Sequence, residues 1–155
     1  MHSMQWIRNM AAAGLFASAT LAAAAPPATL LVKTPHGFDT AVQRAEKAIA
    51  ANGMGLVASA SASRGAAGRG VKIAGNIVLM VFRNDYAVRM LAASVPAGIE
   101  APLRLYLTEE PDGSTAIRYS RPSAVFAPYG NAALDAMAKE LDPVFDKIVS
   151  DTASQ

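Results

Sequence analysis

The chain has 155 residues, 14 basic against 12 acidic side chains, two histidines, one tryptophan and no cysteine. Without cysteine there are no disulfides, thiolate metal sites or cysteine nucleophiles, and a net charge of +2 is too small to argue for nucleic acid as a partner. A hydrophobic fraction of 52% is enough to build a core, and the length fits a single domain.

The first segment reads as a secretory signal peptide. Arg8 supplies a weakly positive head, Met10 to Ala25 is an apolar run, and small residues close it in an A-x-A pattern. The run is short and rich in alanine, whereas a spanning helix needs about 20 apolar residues. The expectation is therefore cleavage after Ala24 or Ala25, with Ala24 preferred because Pro26 is awkward close to the scissile bond. The alternative is an uncleaved interfacial or membrane anchor. Cleavage would leave one domain over residues 25–155, periplasmic or secreted, with His36 as its one histidine and no stable membrane span.

Ala28 to Lys33 reads as a first strand, stopped at Thr34-Pro35. From Phe38 to Asn52, the apolar positions Phe38, Val42, Ala45 and Ile49 recur at three and four residues, which predicts a helix with one core face. Asn52-Gly53 provides its left-handed stop, and Met54 to Ser61 reads as a second strand. Ser61 to Asn76 is rich in Gly, Ala and Ser and carries Arg64, Arg69 and Lys72, which predicts a flexible basic loop. Its glycines lack the spacing of a phosphate or dinucleotide loop. Ile77 to Phe82 is apolar at every residue, which predicts a strand buried on both faces. Asn84-Asp85 can cap a short helix over Tyr86 to Ala93, ended by Val95-Pro96-Ala97-Gly98.

Next, Leu103, Leu105 and Leu107 alternate with Arg104, Tyr106 and Thr108, the pattern of a half-buried strand. Asp112-Gly113 turns the chain, and Thr115, Ile117 and Tyr119 carry the returning strand. Ser120 to Gly130 is a connection with one turn near Ala124. Leu134, Met137, Leu141, Phe145 and Ile148 then mark a long amphipathic helix. Pro143 within it predicts a kink, or a restart with Asp142 as N-cap. The fold class is α+β: strand, helix, four strands and helix, an antiparallel-rich sheet with the two main helices on one face. That arrangement leaves the second face of Ile77 to Phe82 without a cover.

At these residues the chain resembles the family known as domain of unknown function 302. The resemblance rests on Phe38-Asp39-Thr40, Asn52-Gly53-Met54, Val81-Phe82-Arg83-Asn84, Ala101-Pro102-Leu103-Arg104-Leu105, Asp112-Gly113 and Tyr119-Ser120-Arg121-Pro122. It implies a core related to the TATA-binding-protein-like fold and a tendency to form homodimers, with no known activity. Three departures from the pattern stand out. Arg83 replaces a usual glycine, Asp85 replaces a usual proline, and Ser61 to Ser63 lacks a polar Asp-His pair.

Candidate ligand-binding residues are His36, the one side chain outside the signal segment that titrates near neutrality by default, with Asn84, Tyr106 and Tyr119. Together with Tyr129, the last three are polar-tipped residues near the ends or outer face of the sheet, which suits a dimer interface or a ligand pocket. His36 stands at a helix mouth, where a positioned imidazole or a plain loop histidine are both possible. No catalytic triad order presents itself, and zinc would need His36 with carboxylates at a spacing the chain lacks. Met54, Met80, Met90 and Met137 lie in apolar patterns and read as core. Adjacent Glu109 and Glu110 read as a solvated hairpin tip. The leading expectation is a non-catalytic exported homodimer that binds a small apolar or amphipathic ligand or a partner protein, its cofactor unknown. The alternatives are a small hydrolase or isomerase using His36 with Asn84 and a tyrosine, and a metal or haem accessory protein of the cell envelope.

Overall fold

Alternation of apolar and polar residues drives the chain into a sheet whose two faces differ in chemistry. A computed structural model describes residues 28–155, so the signal-peptide reading of residues 1–24 lies outside the described residues. Strands β1 (Thr29–Thr34), β2 (Gly55–Ala60), β3 (Asn76–Phe82), β4 (Leu103–Glu109) and β5 (Thr115–Ser120) form one sheet in the order β1-β5-β4-β3-β2. Every neighbouring pair is antiparallel. Helices α1 (Phe38–Ala51), α2 (Ala62–Ala67), α3 (Asn84–Ala93), α4 (Pro122–Phe126) and α5 (Ala132–Ala153) connect and cover it. No described helix is long and apolar enough to cross a membrane.

The core lies on the helix-covered face. Ile77, Leu79 and Val81 of β3, the three leucines of β4, and Ile117 and Tyr119 of β5 pack against Val42, Ala45 and Ile49 of α1 and the apolar stripe of α5. The expected strand-helix-four strands-helix order stands, with α2, α3 and α4 inserted. Asn52 and Gly53 end α1 as expected: Gly53 takes φ of 71°, and the Met54 amide donates to the Ile49 carbonyl at 3.0 Å. The hairpin turn also forms, with Gly113 at φ of 81° and the Asp112 carboxylate accepting the Ser114 amide at 3.0 Å.

Four local expectations are corrected. The Gly-rich segment after β2 contains the short helix α2, because the Ser61 hydroxyl accepts the Arg64 amide and caps it. Asn76 ties down that helix through its Oδ1, which accepts the Ala62 amide at 3.0 Å. In α3 the N-cap is Arg83, without a side-chain cap bond, so Asn84 and Asp85 sit inside the first turn. Pro143 does not restart α5 with Asp142 as N-cap, since the helix runs on through it over its 22 residues. The proline ring is exposed, and Leu141, Phe145, Ile148 and Val149 are all buried. Each such burial contributes about 1.5–3 kcal/mol, and their sum outweighs the roughly 3 kcal/mol penalty of an interior proline. Asp142 caps α4 instead, its Oδ1 accepting the Ser123 amide at 2.9 Å.

The fourth correction concerns β3. Its burial alternates strictly, with Ile77, Leu79 and Val81 buried and Val78, Met80 and Phe82 only half-buried. Met80 therefore belongs to the open face, while Met54, Met90 and Met137 are core.

Candidate functional site

The four candidate residues do not converge. β1 ends beside the start of β5, and β5 starts beside the end of β4. β3 begins beside that same end of β4 and finishes at the opposite one. His36, just after β1, and Asn84, just after β3, therefore lie at opposite ends of the sheet. His36 Nε2 donates to the Ser154 carbonyl at 2.7 Å. Arg44 reaches the same helix terminus, donating to the carbonyls of Thr152, Asp151 and Ser154 and to the Ser154 hydroxyl at 2.7–3.1 Å. The last carbonyls of a helix carry partial negative charge and lack intrahelical partners. His36 and Arg44 therefore act as the C-terminal clamp of α5.

Asn84 is exposed. Its neighbours, the two departures from the family pattern, bond to each other: Arg83 donates to Asp85 through Nε at 2.7 Å and through Nη2 at 3.0 Å. The Arg83 guanidinium also lies 4.3 Å from the Tyr86 ring centroid. Tyr119 points into the helix-covered side, 6% exposed. Its hydroxyl donates to Asp146 Oδ1 at 2.6 Å, and Arg121 also bonds that carboxylate. Burial and then the Asp146 hydrogen bond push the Tyr119 phenol up to about 12. Burial works against ionised Asp146, but Arg121 and Tyr119 hold it below the usual carboxylate range. Tyr119 is therefore a structural joint between β5 and α5. Tyr129 donates to Glu100 Oε1 at 3.0 Å, and burial followed by that bond raises its phenol. The two glutamates at the hairpin are also engaged: Glu109 accepts the Gly75 amide at 2.7 Å, and Glu110 accepts the Thr108 hydroxyl at 3.2 Å.

Of the four, Tyr106 and Tyr119 border one groove, and Tyr106 is the one whose side chain is exposed on the open face. The register aligns Leu31, Arg118, Tyr106, Val78 and Ala60 in one row across the face opposite the helices. Leu31 is 52% exposed and Tyr106 39%. A groove of about 450 Å³ runs there, its lining including Val78, Glu100, Arg104, Tyr106, Arg118 and Tyr119. Arg118 is held in place, donating to the Thr108 hydroxyl at 2.6 Å with its other nitrogen 3.8 Å from Glu110. Arg104 is exposed and has no hydrogen-bond or ion-pair partner among the described residues.

Sequence reasoning named Tyr106 but missed both arginines. Alternation points Arg104 the same way as Tyr106, but a tight Asp112-Gly113 turn would set Tyr119 opposite Tyr106; the turn that forms takes in Pro111 as well, closed by the Glu110 amide on the Ser114 carbonyl, and sets Arg118 there. A second cavity, under α3, is apolar and only about 30 Å³, little more than one water can fill. Among the described residues, no cluster of three or more His, Asp or Glu side chains is placed to hold a metal ion.

The architecture is thus a five-stranded antiparallel α+β sheet, helix-covered on one side and open on the other. The chain matches the family described as Domain of unknown function DUF302 over residues 30–152, and it belongs to that family. It is similar to the crystal structure of an uncharacterised conserved DUF302 protein from Bacillus stearothermophilus. The TM-score is 0.71 at 19% identity, over 80% of this chain and 97% of that one. Among curated proteins, none matches this chain.

Proposed function

We propose that this domain is a non-catalytic binding module that acts, after export, as a homodimer joined through the open sheet face, with a small ligand held in the groove of that face. One observation carries the reading: the apolar side chains of Val78, Met80 and Phe82, with Tyr106 beside Val78, are only half-covered by the described residues. A contiguous exposed apolar surface marks a contact site, and sheet faces pack on one another about 10 Å apart.

The size of the face sets the strength. Five strands at about 4.8 Å spacing and six or seven residues at about 3.3 Å give a flat footprint of roughly 500 Å² per copy. A standard stable interface buries about 800 Å² per partner. That footprint falls short of the standard interface, and since area alone does not set affinity, about 5 to 200 μM is the range in which we expect sedimentation velocity to show the dimer. Met80→Lys, which sets a second cation beside its cross-strand partner Arg104 in the middle of the face, turns the protein monomeric over that range while its helical circular dichroism is retained. A wild type that stays monomeric at the top of the range, or a Met80→Lys dimer, defeats the reading.

A further inference from the structure

We infer that the groove of the open face takes an amphipathic monoanion, its acidic head against Arg104 and its apolar body over Tyr106 and Val78. The inference rests on the open face being the binding surface. The groove's volume of about 450 Å³ lies within the roughly 300–1,000 Å³ typical of small-molecule sites.

Its charge is directional. Arg83, Arg89 and Arg121 each bond a carboxylate of this chain, whereas Arg104 has none among the described residues. Arg118 adds a second cation two strand positions away, fixed by Thr108. Two carboxylates oppose this charge: Glu100 in the lining, one of whose oxygens accepts the Tyr129 hydroxyl, and Glu110, 3.8 Å from Arg118. Arg104 is the guanidinium left without a carboxylate, and a cation would meet it directly. A neutral body would leave Arg104 uncompensated once a second copy covered the face, and burying an unpaired charge is strongly unfavourable. An anion resolves that conflict, with the Ser120 and Thr29 hydroxyls at hand for its remaining oxygens. Beyond the head, the Tyr106 ring and Val78 lie in adjacent positions of one row and form a floor for an aromatic or alkyl body.

The test uses two fluorescent probes that differ in the acid group, 8-anilinonaphthalene-1-sulfonate and the neutral N-phenyl-1-naphthylamine, titrated into the purified domain. The wild type binds the sulfonate about tenfold or more tightly than the neutral probe. Arg104→Gln removes that preference, Tyr106→Ala weakens both probes, and Arg69→Gln in the distant Gly-rich segment changes neither. Thermal melts confirm that each variant is folded, and Arg104→Lys restores part of the preference should Arg104→Gln fold poorly. Equal affinity for the two probes, no saturable sulfonate binding, or equal losses in the Arg104 and Arg69 variants would overturn the inference. Sedimentation of the same samples separates the two readings. A monomer with Arg104-dependent binding sinks only the dimer, and a dimer without that dependence sinks only the anion site.

Discussion

Replacing Tyr119 by phenylalanine removes one hydroxyl from the joint between β5 and α5, and the geometry there sets the size of the effect. The phenol is pushed up to about 12 from an ordinary 10, first by burial and then by its bond to Asp146. Burial penalises the ionised phenol and is no measure of what the neutral hydroxyl contributes, so the effect at neutral pH is that of the bond to Asp146. A hydrogen bond to a charged group contributes roughly 1.5–3 kcal/mol, and solvent screens part of it because the Asp146 side chain is 35% exposed. We therefore expect Tyr119→Phe to lose about 1.5–2.5 kcal/mol at neutral pH. The folded-state value lies above the unfolded one, so the wild type keeps the contribution in full below about pH 10 and loses it as pH climbs toward 12. Tyr119→Phe lacks that loss, and the gap between the two proteins narrows over that window. Asp146 has the opposite sign: its contribution is present above the ordinary value of 3.8 and disappears as pH falls through the lower folded value. Urea unfolding near neutral pH and near pH 11, with ultraviolet titration of the four tyrosines, measures both quantities. A cost under about 0.5 kcal/mol at neutral pH, or all tyrosines ionising together near 10, would refute the reasoning.

Arg44→Met keeps the apolar stem but removes the bonds to the end of α5; we expect a loss of about 1–3 kcal/mol and faster amide exchange confined first to the last turn of that helix, with His36→Ala giving a smaller change of the same kind. Gly75→Ala sets a methyl 2.6 Å from the Phe38 ring; because that ring packs against the core, the variant unfolds at lower denaturant by about 1–3 kcal/mol, and an unchanged midpoint would mean that Phe38 swings freely aside. From the proposed export we expect the protein purified from its own host to begin at Ala25, which intact mass measures directly; a mass that retains residues 1–24 would refute cleavage there.

The parts of the fold legible in the sequence are those whose cause is local. Gly53 and Gly113 end a helix and turn a hairpin through their own φ angles, and the leucines of β4 announce their face by alternation alone. The misread parts have causes far along the chain. Beside Pro143, Asp142 carries the local signature of an N-cap, yet its carboxylate serves an amide 19 residues earlier. His36 looked available only because its partner, the Ser154 carbonyl, lies 118 residues away. The same distinction explains why a sequence reading scattered its candidate site. Tyr119 and Tyr106 sit on neighbouring strands with the same polar tip, but the diagonal register that pairs Tyr106 with Arg118 and Leu105 with Tyr119 sends them to opposite faces. Tyr119 goes to the core, where Asp146 occupies its hydroxyl. Tyr106 goes to the open side, where its neighbours are Arg118 across the strand pair, Arg104 on its own strand and a half-buried apolar strand. Residue type alone could not separate those roles; parity sends Arg104 with Tyr106, whereas the partner of Tyr106 on β5 depends on a turn that takes in Pro111, which Asp112-Gly113 by itself does not announce.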